Sequence, residues 1–309
     1  MKRCLVTGGS GFVGANLVRR LIAAEYETHV LLRPEHQLWR LRDITGLVRM
    51  HSVDLSDGDQ VHKAVRAIRP EWVFHLAAYG AYSTQTGFAR MVDVNVTGTA
   101  SLLDASAETG VEAFIYTGSS SEYGYKNHPP REDEILEPNS QYAITKAAAT
   151  HYCQFMARTT GFNAIAVRLY SIYGPYEDPS RLIPTLVRHG LEGKLPPLVS
   201  PATARDFVYV DDAVDALVTL AGKQPPHGAV YNLCSGVQTD LATVVETARK
   251  LMGISVEPVW SSMARRSWDT DIWIGSPELM QKEIGWRSRI DFATGLQRMI
   301  EWVKGRPAD

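Results

Sequence analysis

The stretch TGGSGFVGANLVRRL, residues 7–21, decides the fold of this chain. It continues the apolar run of residues 3–7, which has the length of a buried strand. Gly8, Gly11 and Gly14 stand three residues apart, and apolar residues then recur at helical spacing. Residues without a Cβ let the backbone approach a diphosphate, which the amide groups of a helix N-terminus then face. The stretch therefore predicts a strand, a tight turn and a helix that bind a dinucleotide.

The alternation of strand and helix continues beyond this stretch. Further apolar runs of strand length occupy residues 28–32, 48–53, 72–76, 113–118 and 164–169. Segments with helical spacing occupy residues 12–24, 57–69, 90–109 and 140–160. Strands that are apolar throughout and alternate with helices are typical of a parallel sheet covered on both faces. The predicted fold class is α/β, a Rossmann doubly wound parallel sheet.

The last third of the chain has a different character and predicts a smaller α/β substrate lobe. Its predicted elements are short strands at 206–210 and 229–233 and helices near 240–252 and 291–303. We expect a dinucleotide-binding domain over residues 1–170 and a substrate-binding lobe over residues 171–309. The segment 206–225 is expected to rejoin the first domain.

The composition excludes several classes of protein. A net charge of −2 over 309 residues gives no sign of a nucleic-acid or membrane partner. Cys4, Cys153 and Cys234 are too few and too scattered for a disulfide framework or a metal site, so no metal is expected. No apolar run reaches 18 residues, and the N-terminus reads as a strand and not as a signal peptide. A cytoplasmic enzyme is the expectation.

The end of the second strand bears on which dinucleotide binds. NAD sites place a carboxylate there for the ribose 2′-hydroxyl, whereas an arginine suits the 2′-phosphate of NADP. This chain has Arg33 and no carboxylate until Glu35, which favours NADP and leaves NAD open. Asp54, after the third strand, is placed to bond the adenine amino group or to cap the following helix.

Tyr142 and Lys146 stand four apart in YAITK and share one face of a predicted helix. An ammonium group close to a phenol is expected to lower the phenol pKa. Such a tyrosine can exchange a proton with a sugar or ketone oxygen near neutral pH. Two surface residues on an amphipathic helix would give the same spacing.

The motifs together carry a resemblance to a known family. The three glycines, HLAA (75–78), Asn95 in NVTGT, the serines of YTGSSSEYG (116–124) and Tyr142-x-x-x-Lys146 occur in order. The chain resembles extended short-chain dehydrogenases/reductases of the nucleotide-sugar branch, and the likeness extends through RLYSIYGP, RDFVYVDD and ELMQKEIGW. The resemblance implies a hydride transfer between a nicotinamide cofactor and the C4 carbon of a nucleoside-diphosphate sugar.

The resemblance also implies the residues of the site. Ser119, Tyr142 and Lys146 would be catalytic. The cofactor would contact Gly8, Gly11, Phe12, Val13, Gly14, Arg33, Asp54, Leu55, Leu76, Ala77, Ala78, Asn95, Tyr142 and Lys146. The substrate would contact Thr84, Ser119, Ser120, Ser121, Arg181, Arg205 and Arg266. A homodimer through the helices near 90–109 and 142–160 is implied as well.

The serines bear on the choice of reaction. The family's 4,6-dehydratases carry acids in the two places after the catalytic hydroxyl, and this chain has Ser120 and Ser121 there. The pattern is similar to that of 4-keto-6-deoxysugar reductases. We therefore expect a 4-reductase with Tyr142 as proton donor. A 4-epimerase with retained NAD is the alternative, and a 4,6-dehydratase or a non-catalytic member is less favoured.

Overall fold

The structure is a computed structural model, and it describes residues 2–82, 84–223, 225–264 and 270–306. Within these residues, seven parallel strands form the central sheet in the order β3-β2-β1-β4-β5-β6-β9. The strands are β1 (Arg3–Thr7), β2 (Glu27–Leu32), β3 (Arg49–Ser52), β4 (Trp72–His75), β5 (Ala113–Ser119), β6 (Ala164–Leu169) and β9 (Val230–Leu233). The predicted doubly wound sheet is confirmed.

Helices cover both faces of this sheet because most of its strands are joined by helical connections. They are α1 (Phe12–Ala23), α2 (Gly58–Ile68), α3 (Phe88–Val92), α4 (Gly98–Thr109), α5 (Gln141–Thr160) and α7 (Val210–Lys223). One face packs against α1 and α7 through buried residues such as Leu17 and Leu217. The other packs against α2, α4 and α5 through residues such as Val61, Leu102 and Ala149.

The predicted helix at 90–109 is not continuous. A π-helical turn, Asp93–Thr97, separates α3 from α4. The turn contains Asn95, and π-turns often occur at functional sites. This turn faces α5, which it contacts.

A small second sheet and a third core follow the central sheet. The small sheet has the order β10-β8-β7, where β7 is Ser171–Tyr173, β8 is Ala204–Tyr209 and β10 is Gln238–Asp240. The remaining helices are α6 (Leu182–Leu191), α8 (Leu241–Met252), α9 (Glu278–Ile284) and α10 (Phe292–Lys304). The third core joins α6, α8 and α10.

The chain crosses back to the central sheet after residue 170. Helix α7 packs against α1, and β9 supplies the seventh strand beside β6. By contrast β8, which lies in the segment expected to rejoin the first domain, pairs with β7 and β10 in the small sheet. The carboxyl ends of the parallel strands meet at one edge of the central sheet, where ligands bind in such folds.

Candidate active site

The glycine loop between β1 and α1 has the shape of a dinucleotide cradle. Gly8 has φ +70°, and a Cβ there would lie 2.6 Å from the backbone nitrogen of Ala77. A Cβ on Gly14 would lie 2.2 Å from the carbonyl oxygen of Gly8. Gly11 is the N-cap of α1 and provides no side-chain cap, so the first amides, including those of Phe12 and Val13, are left for an anion. These residues fit the diphosphate of a dinucleotide.

The segment after β4 is held against this loop by hydrogen bonds. The carbonyl of Thr7 accepts from the amide of Leu76 at 3.2 Å, and the Thr7 hydroxyl accepts from the amide of Ala77 at 3.2 Å. The same hydroxyl joins His75 Nδ1 at 2.6 Å. Leu76, Ala77 and Ala78 are partly buried. The predicted residues of this segment therefore line the edge of the sheet beside the glycine loop.

Asn95 is engaged by protein groups on all sides. Its Oδ1 accepts from the Tyr79 amide at 2.8 Å, and its Nδ2 donates to the Tyr79 carbonyl at 2.8 Å and to Thr145 Oγ1 at 2.9 Å. The side chain is buried. Asn95 thus fixes the segment after β4 against α5, and this is how it can shape a cofactor site.

The end of β2 has the basic character that the sequence indicates. Leu32, the last residue of the strand, is buried, and the next residue, Arg33, is exposed. A second arginine, Arg40, donates from Nε to the Tyr176 carbonyl at 2.7 Å and from Nη1 to the Ser10 carbonyl at 3.4 Å. Sequence reasoning missed Arg40, because the irregular segment after β2 has no periodicity that predicts its course.

Asp54 does not cap α2. The N-cap is Asp57, whose side chain accepts from the Gln60 amide at 3.1 Å. Asp54 instead accepts from the amide and hydroxyl of Ser56 at 2.9 and 2.7 Å, and these bonds lower the pKa of its carboxyl. Asp54 and the partly buried Leu55 therefore stay candidates for the adenine side of the cofactor.

The three serines have different positions. Ser119 ends β5 and caps a 3₁₀ turn, Ser120–Tyr123. Its hydroxyl joins that of Ser121 at 2.7 Å and is close enough to Tyr142 to lower the pKa of that phenol. Ser120 is buried. The structure therefore joins Ser119 to Ser121 by a hydrogen bond and brings Ser119 near Tyr142.

Tyr142 lies in the first turn of α5, which Ser140 caps by accepting from the Ala143 amide at 3.2 Å. Burial raises the pKa of Tyr142 to about 12, against the opposing effects of Arg181 and of the Ser119 hydrogen bond. The expected lowering of this pKa is therefore wrong for this structure, because burial outweighs the nearby positive charge. At neutral pH the phenol is protonated.

Lys146 is buried one turn further along α5. Its ammonium lies 4.4 Å from the centre of the Tyr116 ring, a cation–π contact. Burial lowers the pKa of Lys146 to about 8, while the negative charge of Glu122 opposes that shift. Keeping Lys146 charged in this buried position therefore costs free energy of folding. Ionisable groups with pKa values shifted in this way are common at functional sites.

Glu122 lies behind the serine turn in a buried ion pair. Its Oε2 accepts from Arg168 Nε at 2.9 Å, and both side chains are nearly inaccessible. Its Oε1 accepts from the Ser119 amide at 2.8 Å and from Thr150 Oγ1 at 3.1 Å. A Cβ on Gly118 would lie 2.5 Å from Oε1. Glu122 thus anchors the turn that presents Ser119, a role that sequence reasoning missed.

The predicted substrate residues are spread around this group. Arg181, at the N-terminus of α6, donates to the Ala81 carbonyl at 3.1 Å and lies 4.9 Å from the Tyr82 ring centre. Arg205, on β8, lies 5.5 Å from the ring centre of Trp273. Thr84 is exposed. The predicted Arg266 lies outside the described residues.

A cleft opens beside the serine turn. A pocket of about 740 Å³ is lined by residues 125–128, Glu137 and residues 270–272. A smaller pocket, which shares Lys126, His128 and Ile272 with it, is lined by Ser120 and Trp273. The sequence did not indicate this cleft, because it forms between two segments about 145 residues apart in the chain.

The described part of the chain shows neither a membrane-spanning helix nor a metal-binding cluster. None of its helices is long and apolar enough to cross a bilayer. In the same residues no group of three or more His, Cys, Asp or Glu side chains is arranged to hold a metal ion.

Comparisons with known proteins agree with this geometry. Residues 4–234 match the model of the NAD dependent epimerase/dehydratase family. The chain is 28% identical to a probable dTDP-glucose 4,6-dehydratase of Sinorhizobium fredii, over 97% of this chain and 92% of that protein.

Solved structures give the same result. A UDP-glucose 4-epimerase of Thermotoga maritima with UDP-glucose superposes with a TM-score of 0.88 at 26% identity, over 98% of each chain. The dTDP-glucose 4,6-dehydratase DesIV of Streptomyces venezuelae with NAD bound superposes with a TM-score of 0.84 at 28% identity, over 98% of this chain and 97% of that chain. The predicted relationship is confirmed, and the chain belongs to the NAD-dependent epimerase/dehydratase family of extended short-chain dehydrogenase/reductase enzymes.

Proposed function

We propose that this enzyme reduces the 4-keto group of a nucleoside-diphosphate 4-keto-6-deoxyhexose, with Tyr142 as the proton donor. The observation that carries the proposal is the serine turn. Ser120 and Ser121 occupy the places after Ser119, and the one carboxylate of the turn, Glu122, is paired with buried Arg168. This turn therefore offers hydroxyl groups to a sugar and no free acid or base for elimination.

The roles of the residues follow from their hydrogen bonds. The nicotinamide cofactor supplies the hydride for the sugar C4 carbon. Tyr142, protonated at neutral pH, gives its proton to the C4 oxygen, and Ser119 bonds the same oxygen and the phenol. Lys146 stays close as a buried cation and stabilises the phenolate that proton transfer leaves. A protonated phenol suits reduction, in which the tyrosine acts first as an acid.

We propose NADP as the cofactor. Exposed Arg33 follows buried Leu32 at the end of β2, and Arg40 reaches the glycine loop at Ser10. The guanidinium groups of Arg33 and Arg40, both after β2, suit the 2′-phosphate that distinguishes NADP from NAD. The glycine loop, Asp54, Leu55, the segment 76–78 and Lys146 would hold the rest of the dinucleotide.

We propose that Arg181, Arg205 and Arg266 bind the diphosphate of the substrate, because bidentate guanidinium groups match phosphate oxygens. Arg181 is close enough to lower the pKa of Tyr142, so one of these cations lies near the proposed proton donor. Ser120, Ser121 and Thr84 would contact the hexose. The smaller sheet, with α6, α8 and α10, would form the substrate lobe beside the dinucleotide-binding domain.

A 4-epimerase with retained NAD is the second candidate. The comparison with the Thermotoga maritima UDP-glucose 4-epimerase favours it, since both chains are covered almost completely. The same Ser119, Tyr142 and Lys146 would serve, because both reactions exchange a proton with the C4 oxygen, once in reduction and twice, out and back, in epimerisation. The two reactions differ in whether reducing equivalents are consumed.

The direct test offers the purified enzyme three substrates in parallel. With a 4-keto-6-deoxy sugar nucleotide, one NADPH is expected to be oxidised per sugar reduced, as followed at 340 nm and by NMR of the product. Interconversion of UDP-glucose and UDP-galactose without net NADPH use would establish the epimerase instead. Conversion of dTDP-glucose to a 4-keto-6-deoxy product would refute both.

Two variants test the roles. Tyr142→Phe is expected to lower kcat by at least about 100-fold with unchanged cofactor binding, because the proton donor is lost. The matched control is Tyr152→Phe on the same helix, because the Tyr152 hydroxyl donates to Asp104 at 3.1 Å.

Glu122→Gln is expected to destabilise the protein. Full stability with selective loss of activity would instead make Glu122 a catalytic base.

A further inference from the structure

Glu177 is a buried acid that the proposed reaction does not use. It follows β7 in the segment Gly174–Asp178, and one of its carboxyl oxygens, Oε2, is buried with no hydrogen-bond partner among the described residues. Burial raises the pKa of Glu177 to about 8, although Arg181 and the Gly174 backbone act in the opposite direction. A buried polar atom without a partner costs free energy, which indicates a group kept for a ligand.

The segment that carries Glu177 is fixed to the glycine loop on one side. Asn16, in α1, donates to the Pro175 carbonyl at 2.9 Å. Arg40, which also reaches Ser10, donates to the Tyr176 carbonyl at 2.7 Å. Tyr176 has φ +68°, a left-handed backbone conformation that is strained for a tyrosine.

On its other side the segment approaches the loop after β4. The charge of Glu177 acts on Tyr82, and Arg181 acts on Tyr82 and on Tyr142. The charged groups that act on the Glu177 carboxyl are Asp178, its neighbour in the chain, and Arg181 at the N-terminus of α6. Arg40 after β2 acts on Asp178 and Tyr82. Glu177 therefore lies near Tyr82, on a segment that is fixed beside the dinucleotide cradle.

We propose that Glu177 binds as a neutral acid and donates a hydrogen bond to a diphosphate oxygen beside the glycine loop. The proposal rests on the proposed function, which brings two diphosphates here, one in the cofactor and one in the nucleotide sugar. An ionised carboxylate beside Asp178 would repel either one. A neutral carboxyl gives Oε2 a partner and leaves Arg181 free to balance the phosphate charge.

The test measures dissociation constants by calorimetry at pH 7 and pH 9, separately for NADP⁺, NAD⁺ and UDP-glucose. If only the neutral acid binds, affinity for the ligand that contacts Glu177 falls about tenfold over this range, for a pKa of about 8. The ligand that shows the loss identifies the diphosphate. Lys146 titrates in the same range, so the informative quantity is the difference between the wild type and a Glu177 variant.

Glu177→Gln keeps a hydrogen-bond donor and cannot ionise. It is expected to bind at pH 7 within about twofold of the wild type and to lose the Glu177 part of the pH dependence. Glu177→Ala is expected to weaken binding about tenfold. Glu192→Gln, at the exposed far end of α6, removes the same charge as the matched control.

Equal pH slopes in the wild type and in Glu177→Gln for every ligand would overturn the inference. So would a loss in Glu177→Gln as large as in Glu177→Ala, because it would show that an ionised carboxylate accepts from a ribose hydroxyl. If the folded enzyme binds none of the three ligands, the proposed function fails first, and this inference fails with it.

Discussion

At the residue scale, the site combines two buried ionisable groups whose pKa values are shifted by the same cause. Burial raises the pKa of Tyr142 and lowers that of Lys146, so each shift favours the neutral form. The phenol keeps its proton at neutral pH, and the ammonium keeps its charge up to about pH 8. At neutral pH the site therefore holds a protonated phenol, Tyr142, and a charged ammonium, Lys146.

The free energy that the buried ammonium of Lys146 costs the folded protein can be measured from the stability of a variant. Lys146→Met is expected to raise the stability of the cofactor-free protein at pH 7 by up to about 3 kcal/mol, from the lowering of a pKa of 10.5 to about 8. The unfolded chain binds this proton up to a higher pH than the folded protein does. Wild-type stability therefore rises from about pH 8 toward pH 10, and the advantage of Lys146→Met shrinks.

Thermal unfolding at pH 7 and pH 9.5 checks this prediction, with exposed Lys63→Met as the control. Lys146→Met is also expected to lose turnover. A variant less stable than the wild type at both pH values would contradict the assigned burial cost.

Arg33 offers a second prediction at this scale. Arg33→Asp is expected to lower the preference for NADPH over NADH, as a ratio of kcat/KM values, by at least about tenfold. The reason is that the variant replaces a cation for the 2′-phosphate with an acceptor for the 2′-hydroxyl. Arg42→Asp, an exposed change nearby, is the control. An unchanged ratio would remove Arg33 from cofactor selection.

At the scale of elements, the site depends on how closely the first helix approaches the first strand. Gly14 lies in α1 and faces the carbonyl of Gly8, so α1 can descend onto the loop only if residue 14 has no side chain. The serine turn depends in the same way on Gly118, which leaves room for Glu122 and its ion pair with Arg168. Glycine thus sets the distance between elements at both places.

Gly14→Ala tests this dependence. It is expected to destabilise the protein by about 1–3 kcal/mol and to weaken NADP⁺ binding, because a Cβ would lie 2.2 Å from the Gly8 carbonyl oxygen. Gly46→Ala is the control, since nothing lies within 4 Å of a Cβ there. Urea unfolding and calorimetric titration give the two readouts. Equal behaviour of the two variants would mean that α1 can shift without loss of the cradle.

At the scale of the whole molecule, one exposed stripe suggests how two copies meet. Ile144, Ala148, His151 and Phe155 recur along one exposed face of α5. The side chains of Ile144 and Phe155 are 46% and 55% exposed, which is unusual for large apolar residues on a helix. The homodimer proposed through this helix would cover them.

Phe155→Glu is expected to convert the dimer to the 34.3 kDa monomer, because each interface would bury two unpaired charges. Sedimentation velocity measures the mass. Ile135→Glu is the control, since Ile135 is 82% exposed in a loop. A wild-type protein that sediments as a monomer at micromolar concentration would refute the interface.

The sequence by itself determined the sheet and the glycine loop, and it predicts catalytic roles for Ser119, Tyr142 and Lys146. These features depend on local patterns: apolar runs, glycines at fixed spacing, and two side chains one helical turn apart. Each can be read without knowledge of distant contacts, and the family model matches residues 4–234 of the same chain.

Tertiary structure alone decided which groups are buried together. Contacts between distant segments pair Glu122 with Arg168 and bring Arg40 to Ser10. Burial by distant segments raises the pKa of Tyr142 and leaves Oε2 of Glu177 without a hydrogen-bond partner among the described residues. Burial and charge add up over every neighbour in space, and sequence spacing specifies only the neighbours along one element. The candidate residues of the site can therefore be predicted from the chain, while their protonation states follow only from the fold.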